Sequence, residues 1–371
     1  MIFFYIFACT SGKNGEDSAQ SVETNAFEPL YNWQEQSVFD KGPFNVGHMQ
    51  VQRSYTPLDD QEDRVISMEI WYPTEENSGE AAEYYLGIDE QSFSDAPAAQ
   101  PIHSKGYPVY LSSHGYRGWG ANSPFLMRHF ASHGWVVIAP DHINNTIVDH
   151  SSPLPVNHFV HRPMDLSQAL DLLEELSDQN VLAGTINTEE VAMGGHSFGA
   201  SYSTWAIAGA SYDNIDAVCM EGQGLENPDE RCSESEYAAL SSGELGDERV
   251  VAAIPHAGSI RESFFGEEGY KAVSVPVMFI SGTDDNQESN QEHFDTVEGI
   301  DFRWLSIEGA CHTSFTGGGC PNIESEKGFA ILNAYILAFA RTHVLGDDSA
   351  DLSALLDGSN LAFPEASIQK K

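Results

Sequence analysis

The stretch Val191-Ala192-Met193-Gly194-Gly195-His196-Ser197-Phe198-Gly199-Ala200 decides how this 371-residue chain is read. An apolar run ends in Gly195-His196-Ser197-Phe198-Gly199, a G-x-S-x-G, and a run of small residues with helical spacing follows to residue 210. Strand, tight turn and helix in that order put a serine on a strained backbone at the top of a sheet. The residues two before and two after it must be small for strand and helix to approach. Gly195, Gly199 and Ala200 meet that demand. The turn lifts the Ser197 hydroxyl off the sheet and sets a helix N-terminus beneath any negative charge that develops there.

Outward from this turn, strands and helices alternate. Strands are expected at 109–113, 135–140, 191–194, around Val218, at 275–281 and at 302–307. Helices are expected at 123–133, 163–176, 198–210 and about 325–344. In the second helix Leu166, Leu170, Leu173 and Leu176 share a face. That alternation implies an α/β fold with a mostly parallel central sheet of about eight strands and helices on both faces. Two earlier runs, 46–55 and 64–72, alternate like half-buried strands. Residues 75–106 lack a clear period and read as a loop. Residues 346–371 read as an acidic tail with a short helix near 352–356. No internal repeat is visible.

A serine at its free pKa is a weak nucleophile and needs a base held by an acid. In this type of sheet the chain order is serine, acid, histidine. Gly282-Thr283-Asp284-Asp285 follows one expected strand, and Glu308-Gly309-Ala310-Cys311-His312 follows the last. His312 is therefore the expected general base and Asp285 its orienting acid, with Asp284 a close rival and Glu221 a distant one. The oxyanion of a tetrahedral intermediate needs two N–H donors. The residue after the nucleophile, Phe198, supplies one. The loop Ser112-Ser113-His114-Gly115-Tyr116-Arg117-Gly118 supplies the other, at Tyr116. The Tyr116 ring and Trp119 would then offer substrate-binding area above the cleft.

Other groups read more plainly. Asp141-His142 lacks the further ligands a metal centre requires, and no metal or other cofactor is expected. Arg162, Pro163 and Asp165 resemble a helix start, where proline and an acid both fit. His256 reads as structural, and Asp59-Asp60-Gln61-Glu62-Asp63 as a solvated loop.

Lys plus Arg number 17 against 56 Asp plus Glu, a net charge of −39 spread along the chain. Such a field repels phosphate backbones, which excludes nucleic-acid binding, and repels anionic lipid unless an anchor holds the chain. With 41% apolar residues the chain has enough for a large core. No apolar run reaches the ~20 residues that span a bilayer. Met1 to Cys9, MIFFYIFAC, resembles the end of a bacterial lipoprotein signal, with Cys9 as the lipidated residue and residues 10–28 as a polar tether. The remaining Cys219, Cys232, Cys311 and Cys320 are even in number. Their short separations suggest 219–232 and 311–320, among three possible pairings. An exported protein is expected: secreted, periplasmic, or an outer-membrane lipoprotein tethered through Cys9.

From about residue 105 to 345 the chain resembles the α/β-hydrolase superfamily. It is most similar to the dienelactone-hydrolase-like branch allied to platelet-activating factor acetylhydrolases and bacterial polyester hydrolases. The resemblance rests on Ser113-His114-Gly115, Ala131-Ser132-His133-Gly134, Ala139-Pro140-Asp141-His142 and the Arg162 to Asp165 segment. It rests equally on residues 194–200 and 275–285 and on Gly309-Ala310-Cys311-His312. True dienelactone hydrolases carry a cysteine nucleophile where this chain has Ser197. The acidic insert around 221–250 is hard to align with the pattern and is expected to shape the substrate cleft. The expectation is one catalytic domain over residues 29–345, monomeric, hydrolysing short-chain or polymeric carboxylic esters. A phospholipid acylhydrolase and a non-catalytic binding protein on the same scaffold are the alternatives.

Overall fold

The computed structural model describes residues 31–371 except 261, 267 and 286–289. Cys9, the expected signal at 1–9 and the tether at 10–28 therefore lie outside the described residues. The described strands are β1 (Asn45–Tyr55), β2 (Arg64–Thr74), β3 (Ala81–Tyr84), β4 (Gly87–Ser94), β5 (Tyr107–Ser113) and β6 (Val136–Pro140). They continue with β7 (Ile186–His196), β8 (Val250–His256), β9 (Val277–Gly282), β10 (Phe302–Ile307) and β11 (Ala366–Lys370). All eleven join one sheet in the order β11-β10-β9-β8-β7-β5-β6-β2-β1-β4-β3.

The six strands from β6 to β10 are mutually parallel. β5, β6 and β9 are buried at every position, so their sequences run apolar without alternation, as strands covered on both faces do. Alternation survives in which face each residue serves. Val109 and Leu111 of β5 pack with Leu166, Leu170 and Leu173, while Tyr110 packs with Phe130 on the other side. Leu166, Leu170 and Leu173 belong to helix α2 (His158–Asp178) and Phe130 to helix α1 (Pro124–Ser132). The helix Ser325–Val344 joins α1 on its face. Each buried leucine of α2 contributes roughly 1.5–3 kcal/mol by leaving water.

Four parts of the sequence reading need correction. Residues 75–106 are not one loop, because β3 and β4 form a hairpin. Its pairing with β1 spans only three positions, and few of its residues are buried, so it carries little apolar period. Trp71 Nε1 donating to the Tyr84 hydroxyl at 2.8 Å and Arg128 pairing with Asp89 at 2.7 Å hold the hairpin in place.

Val218 is not in a strand. It lies in the helix Ile215–Glu221, where Ile215, Val218 and Cys219 recur at helical spacing, and Gly222, at φ +74°, ends the helix. The strand between β7 and β9 is β8. Its Val250-Val251-Ala252-Ala253-Ile254 is short, and Pro255 interrupts the pattern.

Residues 346–371 are not a tail. After the helix Ala350–Leu356 the chain returns as β11, antiparallel to β10, extending the sheet beyond the expected eight strands.

Arg162 and Pro163 do not start a helix. α2 begins at His158, and Pro163 sits inside it. The N–H that proline lacks would have gone to the carbonyl of Phe159, and that carbonyl instead accepts from the Tyr212 hydroxyl at 3.3 Å.

Candidate active site

β7 delivers Ser197 at φ +54°, a left-handed conformation that a serine adopts only under constraint. The constraint is visible on both sides. A Cβ on Gly195 would lie 2.7 Å from the Gly199 carbonyl carbon, and one on Gly199 would overlap the Ser113 carbonyl. The Ser197 N–H donates to His256 O at 3.1 Å, and the Ser201 N–H donates back to Ser197 O at 2.8 Å. The chain then winds as a π-helical stretch, Gly199–Thr204, before Trp205–Ile207.

The loops after β9 and β10 converge on this serine. His312 Nε2 lies 2.9 Å from Ser197 Oγ, and His312 Nδ1 lies 2.9 Å from Asp285 Oδ2. An ionised carboxylate only accepts, so Nδ1 carries the proton and Nε2 is free to accept from the serine hydroxyl. Asp284 faces elsewhere, taking hydrogen bonds from Asn322 at 2.6 Å and Thr283 at 3.2 Å. Glu221 ends the helix Ile215–Glu221. A disulfide joins Cys311 to Cys320 across the histidine loop, and a second joins Cys219 to Cys232.

A cavity of about 350 Å³ opens beside Ser197. Tyr116, Phe159, Phe198, Tyr202 and Leu154 supply its apolar lining, and Gly224 and Glu226 close one side. The rings of Phe159, Phe198 and Tyr202 meet at 4.6–5.4 Å. Tyr116 and Phe198 thus both border the cavity. Trp119 does not. It packs against the core with Phe125, because the chain turns inward at Gly120, whose N–H binds Asp141 Oδ1 at 2.7 Å. Phe159, Tyr202, Leu154 and Glu226 escaped the sequence reading, since no local motif marks a residue that merely faces a cavity.

The wall at Glu226 belongs to the loop closed by Cys219–Cys232. Glu226 accepts from the Leu154 N–H at 2.7 Å and Glu230 from the Val156 N–H at 3.0 Å. The acidic insert therefore supplies a side of the cavity.

Behind the loop after β5 lies a buried polar chain. Arg162 Nη2 donates to Ser113 Oγ at 2.9 Å, Ser113 meets His142 Nε2 at 2.9 Å, and His142 Nδ1 meets Asp165 Oδ2 at 2.9 Å. Arginine can only donate and the carboxylate only accept, so every proton in this chain points from Arg162 toward Asp165. Burial, then the charges of Arg162 and Arg64, hold His142 neutral, well below the usual histidine range. Burial brings Arg162 down to about 9, against the pull of Asp165. Burial likewise raises Asp141 to about 6 and lowers His256 to about 4. Asp141 and His142 are thus committed to the loop and to Ser113. Among the described residues no group of three or more His, Cys, Asp or Glu is placed to hold a metal. In the 59–63 run, Asp63 takes the Thr56 hydroxyl at 2.5 Å.

The fold is matched by a solved structure of a ferulic acid esterase from Streptomyces cinnamoneus. The two share 19% identity over 88% of this chain and 97% of that one, with a TM-score of 0.61. The chain has the α/β-hydrolase fold. Within it, β3–β4 and β11 are additions at the two sheet edges, and the parallel core strands present the site at their carboxyl ends, where open α/β sheets bind ligands. The chlorophyllase family model matches residues 77–218, well under half of the chain. That stretch includes Ser197 and ends before Asp285 and His312. No curated protein matches the sequence.

Proposed function

We propose that the protein is a serine hydrolase of carboxylic esters, acting through an acyl-enzyme. The observation that carries this reading is the line of two 2.9 Å contacts from Ser197 through His312 to Asp285. The histidine is set to take the serine proton, and the carboxylate to hold its tautomer as positive charge forms. Ser197 attacks the ester carbonyl while His312 removes its proton. The Phe198 and Tyr116 N–H groups receive the oxyanion, a contribution of about 3 kcal/mol per donor. His312 then protonates the leaving alcohol and activates water to release the acid.

Short-chain and polymeric esters are the proposed substrates. The cavity, at about 350 Å³, is small for a binding site, and four aromatic rings line it. A short or flat acyl group fits that shape better than a long flexible chain. The fold match to a ferulic acid esterase and the partial match to the chlorophyllase family support ester chemistry. Export as a monomer, with Cys9 as a lipid tether, completes the proposal, and the two disulfides support an oxidising compartment.

The test is initial rates of the full chain on p-nitrophenyl esters from acetate to palmitate, beside Ser197→Ala. Rates that peak at short chains and collapse in the variant are expected. A peak at palmitate would overturn the substrate class, and a variant as active as the parent would overturn the nucleophile.

A further inference from the structure

Among the described residues Arg162 and Asp165 are fully buried charges that the proposed chemistry leaves unused, each with 0% of its surface exposed. Arg162 Nη2 donates to Ser113 Oγ at 2.9 Å and also to the His114 carbonyl. Its guanidinium carbon stands 4.6 Å from the centroid of the Phe198 ring. Its Nε and Nη1 have no hydrogen-bond partner among the described residues. One cation therefore touches both segments that carry the proposed oxyanion donors, the loop after β5 and the residue after the nucleophile.

Peptide geometry turns this contact into orientation. In a trans peptide the C=O and N–H point in opposite directions. Arg162 draws the His114 carbonyl toward the interior, so the Gly115 N–H points away from the guanidinium. The next carbonyl, of Gly115, is held by the Gly118 N–H at 3.0 Å and lies 2.7 Å from His114 Nδ1, which fixes the Tyr116 N–H in the same way. Gly115 itself lies against the nucleophile. A Cβ there would sit 3.1 Å from Ser197 Cβ. The Phe198 ring in turn contacts both the guanidinium and the Phe159 ring.

Charge acts in the same sense. Asp165 is the carboxylate of this cluster, and its bonds go to Tyr55, Arg64 and His142. Arg64 and Arg162 are two guanidiniums against that one carboxylate, and the surrounding histidines, 114, 142, 158 and 161, are held neutral mainly by burial. Arg162 itself bonds no carboxylate, so its positive charge lies buried and unpaired by contact behind the oxyanion loop, where low dielectric and the absence of reorganisation make it count most toward a developing negative charge.

We infer that Arg162 is a positioning residue for the reaction. It locks the His114–Gly115–Tyr116 peptides and Phe198 into an oxyanion-binding arrangement and adds a fixed positive field behind them. This inference rests on the ester-hydrolase reading above.

The experiment compares the full chain with Arg162→Met and Arg162→Lys. It reads kcat and KM on p-nitrophenyl acetate, the inhibition constant of a boronic acid that forms a tetrahedral serine adduct, and thermal melting. Arg162→Met is expected to lose about 100-fold in kcat with KM within about twofold, and to weaken boronic-acid binding by a similar factor. Arg162→Lys is expected to recover about tenfold of that loss. A folded Arg162→Met with parental kcat, or a loss confined to KM, overturns the inference. If Arg162→Met does not fold, Arg162→Lys decides. Lower kcat and weaker boronic-acid binding at unchanged KM support the role, and parental boronic-acid affinity overturns it. A parent chain that neither hydrolyses esters nor reacts with a fluorophosphonate fails at the hydrolase reading. An active parent with an equally active Arg162→Met fails only here.

Discussion

The loop between Cys311 and Cys320 and the loop between Cys219 and Cys232 are both short, both closed by a disulfide, and both flank the cleft. They are built differently. The first carries His312, the proposed base, and is knitted internally. The Ser314 N–H donates to Cys311 O at 2.9 Å, the Gly318 N–H to Thr313 O at 3.0 Å, and the Thr313 hydroxyl to Gly319 O at 3.2 Å. It is also rooted in the core, with Phe315 buried, its carbonyl bound by Ser123 at 2.9 Å, and His196 Nε2 lying 3.1 Å from His312 O. The second carries a wall. It is acidic, largely exposed between 223 and 231, and docks on the 154–156 segment through the Glu226 and Glu230 carboxylates. A base must stay within a few tenths of an ångström of its serine, whereas a wall only has to exclude what is too large. The same covalent device therefore serves placement in one loop and shape in the other.

The largest effect that can break this contrast lies at the base loop. Asp285→Asn is expected to cost about 10⁴-fold in kcat by losing the histidine tautomer, while Asp284→Asn stays within a few-fold. Steady-state rates on p-nitrophenyl acetate check both. Equal losses would mean the two carboxylates are interchangeable and the base loop less exacting than its bonding.

Acid sharpens the contrast next. His196 and His256 lie beneath the base loop, and burial, foremost, depresses both, His256 to about 4. Unfolded, each would titrate near its ordinary 6.5. A histidine whose folded pKa is depressed leaves stability untouched above 6.5. As pH falls below 6.5 the unfolded chain binds protons that the folded one refuses, so stability is lost down to the folded pKa. The loss is about 1.4 kcal/mol per pH unit for each such residue. Hydrogen exchange at pH 7 and pH 5 should show residues 311–320 losing protection before 222–231. Equal loss in both loops would remove the distinction.

Breaking the disulfides one at a time separates placement from shape directly. By loop closure each pairing is worth about 3 kcal/mol, since their separations, 9 and 13 residues, are similar. Melting curves should therefore fall alike in Cys311→Ser/Cys320→Ser and Cys219→Ser/Cys232→Ser. Kinetics should diverge, with about tenfold lower kcat in the first and unchanged kcat with raised KM in the second. A fall in kcat from the second pair would show that the wall also places the chemistry.

The smallest effect isolates the docking carboxylates. Glu226→Ala with Glu230→Ala removes two hydrogen bonds worth about 1 kcal/mol each. KM for p-nitrophenyl butyrate should rise a few-fold, and longer esters should gain relative to acetate, with kcat on acetate unchanged. An unaltered chain-length profile would mean that Leu154 and the aromatic rings alone set the cavity.

What could be read from the chain follows the range of the interactions. The strand–turn–helix at Ser197 and the strand-end loops at Asp285 and His312 are local, so spacing and small residues mark them. The hairpin β3–β4 was invisible because an edge that buries few side chains leaves no apolar period. The helix at Val218 reads as a strand and β8 goes unassigned, because an apolar run of five to seven residues has no intrinsic type, and only its neighbours choose between strand and helix. Arg162 looked like a helix-start residue because Pro163 follows it. Its burial became evident only once α2 was packed behind β5.

By itself the sequence determined the strained serine turn, the layered α/β order and the strong negative charge, each of which depends on composition or on residues within a few positions of one another. The tertiary structure decided the rest. It brought Asp285 rather than Asp284 to His312, because adjacent carboxylates on one turn face different partners. It turned Trp119 into the core, folded the last residues into the sheet as β11, and settled which residues of the acidic insert, Gly224 and Glu226, line the cavity. These outcomes depend on which buried donors and acceptors find one another across the sheet, and a buried polar group left unpaired costs more than any local preference supplies.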